Sequence, residues 1–281
     1  SISDGTVTGV GNIAIGQEAL TDLTSGRYNI AIGSGSLKGG KTGEFAIAIG
    51  FNAMSGSVSD NTANIAIGES ALRTGDITGH DNIGIGTKTL DNLTSGYNNI
   101  AIGSGSMMKG VVTGYRNVAI GVSTLEDATA ASGSIAIGHM AARKHTTGNA
   151  NIAIGSGSMG KGVAVSGPST GDNIGIGSYA LEDLTTGFGN VAIGMQAADE
   201  LTTGDHNIAI GQLAMSAGVT TGDANIAVGS YALDAATTGG KNTAVGYRAI
   251  SANTTESDNT AVGHQALYQN TGDKNTAVGS D

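Results

Sequence analysis

Five histidines, His80, His139, His145, His206 and His264, are the side chains best suited to bind a metal or move a proton near neutral pH. None stands in a His-x-His or His-x-x-x-His spacing, so no zinc-ligand motif is present. His139 and His264 share one place in the sequence pattern, directly after a glycine. A three-histidine site generated by symmetry is conceivable there, but a surface or interface histidine is the plainer reading. The carboxylates cluster in turn-like stretches: Glu126-Asp127, Glu182-Asp183, Asp199-Glu200, and the Thr-Gly-Asp or Gly-Asp turns ending at Asp172, Asp205, Asp223 and Asp273. A glycosidase would need two of them converging across a groove, whereas solvated turn residues need nothing further. Gly33-Ser34-Gly35 and Gly155-Ser156-Gly157 echo nucleotide-binding loops, yet neither opens a helix within a βαβ unit. Calcium-binding nonapeptide repeats and a Thr-x-Thr ice-binding array are likewise missing, and Thr202-Thr203 and Thr220-Thr221 read as turns. No catalytic, cofactor-binding or metal-binding residue is expected, and no cofactor. The chain reads as a non-enzyme.

What must be positioned instead is a repeat. Taking its closing glycine as position 0, copies fall at Gly16, Gly33, Gly50, Gly68, Gly86, Gly103, Gly121, Gly138, Gly155, Gly177, Gly194, Gly211, Gly229, Gly246, Gly263 and Gly279. The spacing is 17 or 18 residues, except 22 before Gly177 and 16 before Gly279. Positions −3 and −1 are β-branched in nearly every copy, as in Ile13 and Ile15, which is the period-two pattern of a short strand. At +3 a small residue recurs, at +4 usually Leu, Met or Ile, and a polar turn such as Leu23-Thr24-Ser25-Gly26 or Leu184-Thr185-Thr186-Gly187 closes the copy. One copy thus reads as strand, corner, short strand, turn, the last glycine taking positive φ. Such a unit cannot bury its own apolar face, so copies must stack on a shared core. The expectation is an all-β parallel β-solenoid or β-roll of sixteen repeats, one array over residues 1–281. The long copy at 156–172, with the only proline, Pro168, should bulge, as a binding loop or as a tolerated insertion.

Two columns stand out. At −4 is Asn in fourteen copies: Asn12, Asn29, Asn64, Asn82, Asn99, Asn117, Asn151, Asn173, Asn190, Asn207, Asn225, Asn242, Asn259 and Asn275, with Ala46 and Ser134 the exceptions. Stacked at one corner, these amides would bond from rung to rung as a ladder; the alternative is that they are ordinary turn formers. At −2 every copy is Ala or Gly: Ala14, Ala31, Ala48, Ala66, Gly84, Ala101, Ala119, Ala136, Ala153, Gly175, Ala192, Ala209, Ala227, Ala244, Ala261 and Ala277. These point away from the Ile face. With Ile filling the rung, the small face is expected to pack against another chain, in a closed homo-oligomer; the alternative is a flattened solenoid with both faces internal.

Composition agrees with a turn-rich, ordered array. Charged residues are 13%, well below the ~25% of ordinary domains. The net charge of −10, with its 13 basic residues dispersed, argues against nucleic acid. The absence of cysteine rules out disulfides. No apolar run approaches a membrane span, so membrane insertion is not expected, and no signal peptide is visible.

Asn242-Thr243-Ala244-Val245-Gly246-Tyr247-Arg248-Ala249-Ile250 and Asn259-Thr260-Ala261-Val262-Gly263-His264-Gln265-Ala266-Leu267, followed by Asn270-Thr271-Gly272, resemble the repeat region of bacteriophage tail fibres. They are also similar to YadA-like head repeats of trimeric autotransporter adhesins. The resemblance covers essentially the whole chain, and the 17-residue spacing suits the phage version. It implies a homotrimeric shaft, extracellular, in a virion tail fibre or cell-surface appendage. Its other partner would be a host receptor such as a glycan or outer-membrane protein. A trimeric adhesin head that binds host matrix or glycan through the repeat surface is the alternative.

Overall fold

The computed structural model describes residues 8–56, 62–73, 77–110, 112–162, 171–216, 220–252 and 254–280. Most of the anticipated bulge at 156–172, Pro168 included, lies outside them. The chain divides into two compact units, Ser1–Ile137 and Gly138–Asp281. Each is an all-β parallel solenoid. The first carries β1 (Ile13–Ile15), β2 (Ile30–Ile32), β3 (Ile47–Ile49), β4 (Ile65–Ile67), β5 (Ile83–Ile85), β6 (Ile100–Ile102), β7 (Val118–Ile120) and β8 (Ile135–Ile137). The second carries β9 (Ile152–Ile154), β10 (Ile174–Ile176), β11 (Val191–Ile193), β12 (Ile208–Ile210), β13 (Ile226–Val228), β14 (Thr243–Val245), β15 (Thr260–Val262) and β16 (Thr276–Val278). Within a unit each strand pairs in parallel with the next, in a register that puts like on like: Ile13 beside Ile30, Ala14 beside Ala31, Ile15 beside Ile32. No helix among the described residues is long and apolar enough to cross a membrane.

The closing glycine is fixed by backbone contact. Its φ lies between +122° and +137° in every copy, a region that L side chains rarely enter. A Cβ on Gly194 would lie 2.5 Å from the carbonyl oxygen of Gly211, the same residue one rung on. The turn glycines have a different reason from the one expected. Gly26 and Gly187 do not have positive φ; a Cβ there would meet the Gly43 and Gly204 carbonyl oxygens at 2.5 and 2.4 Å.

After the closing glycine the predicted second strand is not formed among the described residues. In its place the chain turns through left-handed residues, typically at +2 and +4, with a further one at −5 before the next strand. Among the described residues forty that are not glycine have φ between +46° and +61°. Each such residue costs on the order of 1 kcal/mol, and bonding between rungs offsets that cost. Leu20 N–H donates to Ser36 O at 3.1 Å, Tyr28 N–H to Val10 O at 3.0 Å, and Asn52 N–H to Ser34 O at 2.9 Å. The demand favours residues unbranched at Cβ at +4, such as Leu20, Leu37, Met54 and Leu72, since β-branching is penalised at positive φ; Ile250 is the β-branched exception.

The core corrects the expected orientation of the strand. Ala31, Ala48, Ala66, Ala101, Ala119, Ala136, Ala153, Ala192, Ala209, Ala227, Ala244 and Ala261 are completely buried within their own chain, and Gly84 and Gly175 are buried too. Ala14 and Ala277, in the first and last strands, are partly covered. These sixteen positions therefore face the rung interior and not a second chain, whereas the Ile and Val at −3 and −1 point outward and stay half-exposed. The physical reason is width. The −2 position lies directly opposite the +3 and +4 side chains, so Leu or Met supplies the bulk and the strand leaves room only for a methyl. Gly84 shows the limit: a Cβ there would meet Leu72 Cδ1 at 2.3 Å and Thr89 Oγ1 at 3.0 Å. Leu20, Leu72, Leu90, Met107, Leu125 and Leu181 are fully buried, each contributing roughly 1.5–3 kcal/mol.

Candidate functional site

Asparagine at −4 is set just before the strand, where the left-handed residue at −5 turns its side chain inward. In the first unit its carboxamide links Asn12 to Asn29, then Asn64, Asn82, Asn99 and Asn117 in succession. In the second, successive backbone bonds run from Asn151 through Asn173, Asn190, Asn207, Asn225, Asn242 and Asn259 to Asn275. Asn82 shows the unit of construction. Its Oδ1 accepts the backbone N–H of Asn99 at 3.0 Å and the Nδ2 of Asn99 at 3.0 Å, while its own Nδ2 donates to Gly96 O at 2.9 Å. Asn173 bridges 22 residues to Asn151 with the same bonds, so the insertion leaves the column in register.

The two exceptions still receive the link from the preceding asparagine. Ala46 N–H donates to Asn29 Oδ1 at 2.9 Å and Ser134 N–H to Asn117 Oδ1 at 3.0 Å. At the other end Asn259 Nδ2 is buried with no partner.

The outer face of each sheet carries two columns of β-branched side chains. In β10, β11 and β12 the −1 members Ile176, Ile193 and Ile210 are 36%, 39% and 38% exposed, although each lies between like residues of neighbouring strands. A three-residue strand spans about 10 Å and strands repeat every ~4.8 Å, so eight give an apolar surface on the order of 350 Å² per unit. That lies within the size range of the largest patches on soluble proteins, which often mark interaction sites.

The acidic residues are more varied than solvated turns. Asp223 Oδ1 accepts Asp205 N–H at 2.9 Å, Asp205 Oδ1 accepts Phe188 N–H at 3.0 Å, and Asp273 Oδ1 accepts Ser257 N–H at 2.7 Å, so these carboxylates brace turns between rungs. Glu126 is buried and paired with Lys109 at 2.7 Å. Burial pushes the Asp199 carboxyl up to about 6, against a lowering hydrogen bond from Gln196. Burial likewise raises Asp234, which accepts the Ser251 hydroxyl. Threonine hydroxyls are spent in turns: Thr185 donates to Thr202 O at 2.9 Å and Thr237 to Thr254 O at 2.9 Å.

The histidines do not converge. His80 stacks on Tyr97 with ring centres 5.5 Å apart, and Tyr97 on Tyr115 at 4.9 Å. His264 stacks on Tyr247 at 5.3 Å, and His206 meets the edge of Phe188 at 4.6 Å. His139 is exposed, whereas His145 is 2% exposed, with neither ring nitrogen hydrogen-bonded. Burial drives His145 down to about 4. It occupies the +7 position that Leu23, Leu184 and Leu201 fill in other copies, a departure visible in the sequence once the copies are aligned. Among the described residues no group of three or more His, Asp or Glu side chains could hold a metal ion.

The fold and these columns define a parallel β-solenoid repeat protein with an internal amide ladder and an apolar outer sheet face. No protein-family model matches the chain, and no curated protein does.

Proposed function

We propose that the chain is the shaft of an extracellular fibre, of the phage tail-fibre kind, whose work is mechanical: a stiff spacer that supports attachment to a host cell surface. The outward Ile and Val columns carry this reading. An apolar sheet face repeating every ~4.8 Å is matched best by another surface of equal repeat, and a second copy of the same chain supplies one. A homotrimer closes such faces around one axis, in keeping with the resemblance of the repeats to tail fibres. No catalytic step is assigned to the chain.

Stiffness follows from the construction. Rung-to-rung bonds run along both the strand column and the corner ladder, so bending would stretch many hydrogen bonds together. Sedimentation equilibrium of the chain tests the reading. A mass of three chains is the expected result; a monomer at tens of micromolar would contradict it.

A second reading, an adhesin binding host glycan through its own surface, is favoured by a specific observation. The positions just after the closing glycine carry exposed rings, such as Tyr179 and Tyr247, and a partly buried cation, Arg248, with its guanidinium 5.4 Å from the Tyr247 ring centre.

A further inference from the structure

The two β-branched columns on the outer face do not distinguish one rung from the next: Ile47 and Ile49, Ile65 and Ile67, and Ile100 and Ile102 repeat unchanged. A chain displaced along its neighbour by one rung would lose little contact there, because the same surface recurs ~4.8 Å further on. A fibre held by these columns alone would have no defined register.

The +1 position breaks the uniformity. It directly follows the closing glycine, two residues on from the −1 column, and is exposed or half-exposed in every copy. Most copies are polar there, as at Ser34, Glu69, Ser104 and Gln212. Phe51, Val122 and Met195 are not, and all three are exposed. In these three copies, and in no others, an apolar +1 residue coincides with a Phe or Tyr on the far side of the strand, five or six residues before the glycine: Phe45, Tyr115 and Phe188. Phenylalanine has no polar atom to offer water, yet Phe45 and Phe51 are 54% and 56% exposed. The rungs of β3, β7 and β11 thus carry apolar residues on both sides of the strand as well as within it, and they fall at every fourth copy.

We infer that these three rungs are register locks between copies of the chain, an inference that rests on the fibre reading. At zero offset each lock meets its own counterpart and is covered. A displacement of one to three rungs sets it against rungs edged by residues such as Glu69 or Ser104, which leaves apolar surface wet and covers polar groups. A displacement of four brings locks together again but leaves four of the sixteen copies without a neighbour at each end. A receptor bound at one place needs one patch. Recurrence at every fourth copy suits a partner with the same repeat, which is a second copy of this chain.

The test reports register in full-length chains. Ile67→Cys and Ile102→Cys lie on β4 and β6, two rungs or about 9.6 Å apart, beyond the ~7 Å Cα separation that a disulfide spans. The two variants, one enlarged by a tag, are co-expressed, oxidised and run on a denaturing gel without reductant. Pairs of like with like are expected. In a Phe51→Ser, Val122→Ser, Met195→Ser background, which installs the residue native to +1 at Ser34 and Ser104, mixed pairs should rise at least five-fold while sedimentation still gives three chains. Should that background fail to match the parent by circular dichroism, Phe51→Ser alone carries the test with the same outcomes. Trimers that keep only like pairs without the locks overturn the register role alone, as do mixed pairs as frequent as like ones with the locks intact. Loss of association in the variant makes these residues a source of affinity and overturns the role as well. A monomeric parent, or a trimer that links through neither cysteine, overturns the fibre reading of the outer face and this inference with it.

Discussion

Asn190 Oδ1 accepts two hydrogen bonds from Asn207, one from its backbone N–H at 2.8 Å and one from its Nδ2 at 3.2 Å. Asn190→Ala therefore strands a buried backbone donor, for which ordinary magnitudes are about 1–3 kcal/mol, and also frees Gly204 O, which Asn190 Nδ2 meets at 2.8 Å. A loss of about 3 kcal/mol is expected by urea denaturation. A change under 0.5 kcal/mol would reduce these asparagines to turn formers.

The converse substitution is available in the native sequence. Ala46 receives the link from Asn29 but has no carboxamide to pass it on. Ala46→Asn should raise stability by about 1 kcal/mol, through an acceptor offered to Asn64 N–H. Thermal melting checks this, and a lowered Tm would show that the site has no room for the larger side chain.

Gly194→Ala tests the close approach of rungs. Its φ is +136°, and the added methyl would sit 2.5 Å from Gly211 O, so backbone itself must move. Destabilisation of at least about 3 kcal/mol is expected, from strain and overpacking together. A tolerated alanine would show that rungs slide apart easily.

His145 gives the first unit-specific pH dependence to be looked for, and it belongs to the second unit. Its folded pKa of about 4 lies below its ordinary value of 6.5, so between these values the unfolded chain binds the extra proton. Stability is thus lost as pH falls from 6.5 toward 4, by on the order of 3 kcal/mol for the full shift. Asp199 works the other way: raised from 3.8 to about 6, it destabilises the fold as pH rises through that range. His145→Leu, the residue found at +7 in other copies, should remove the acid loss and leave the Asp199 slope of opposite sign. An unchanged slope in denaturant melts between pH 4 and 7 would show that His145 is hydrated.

The sequence made the repeat, its strand and its closing glycine legible because stacking forbids variation where backbones touch, as at Gly194 and Gly211. The orientation of the strand is not legible from the strand alone, because in an alternating pair the larger residue ordinarily lies inside. In a rung this narrow Leu181 fills the interior from the corner, so the strand position facing it can hold no more than Ala or Gly. The signal is present at +4, where Leu and Met, unbranched at Cβ, stand in most copies and mark a left-handed corner rather than a second strand. Neighbours such as Met140, Gly157 and Tyr179 meet only when copies are stacked by repeat position. His145 needed the same alignment.

The proposed association through the outward Ile columns, with the Ala column sealed inside, is open to a direct chemical test. The protein has no cysteine, so a single introduced one reports without background. Ile193→Cys and Ala192→Cys place a thiol on opposite sides of β11, and each is oxidised and then run on a denaturing gel without reductant. Disulfide-linked pairs of chains are expected for Ile193→Cys and none for Ala192→Cys. Cross-linking through Ala192→Cys, with Ile193→Cys remaining single chains, would contradict it.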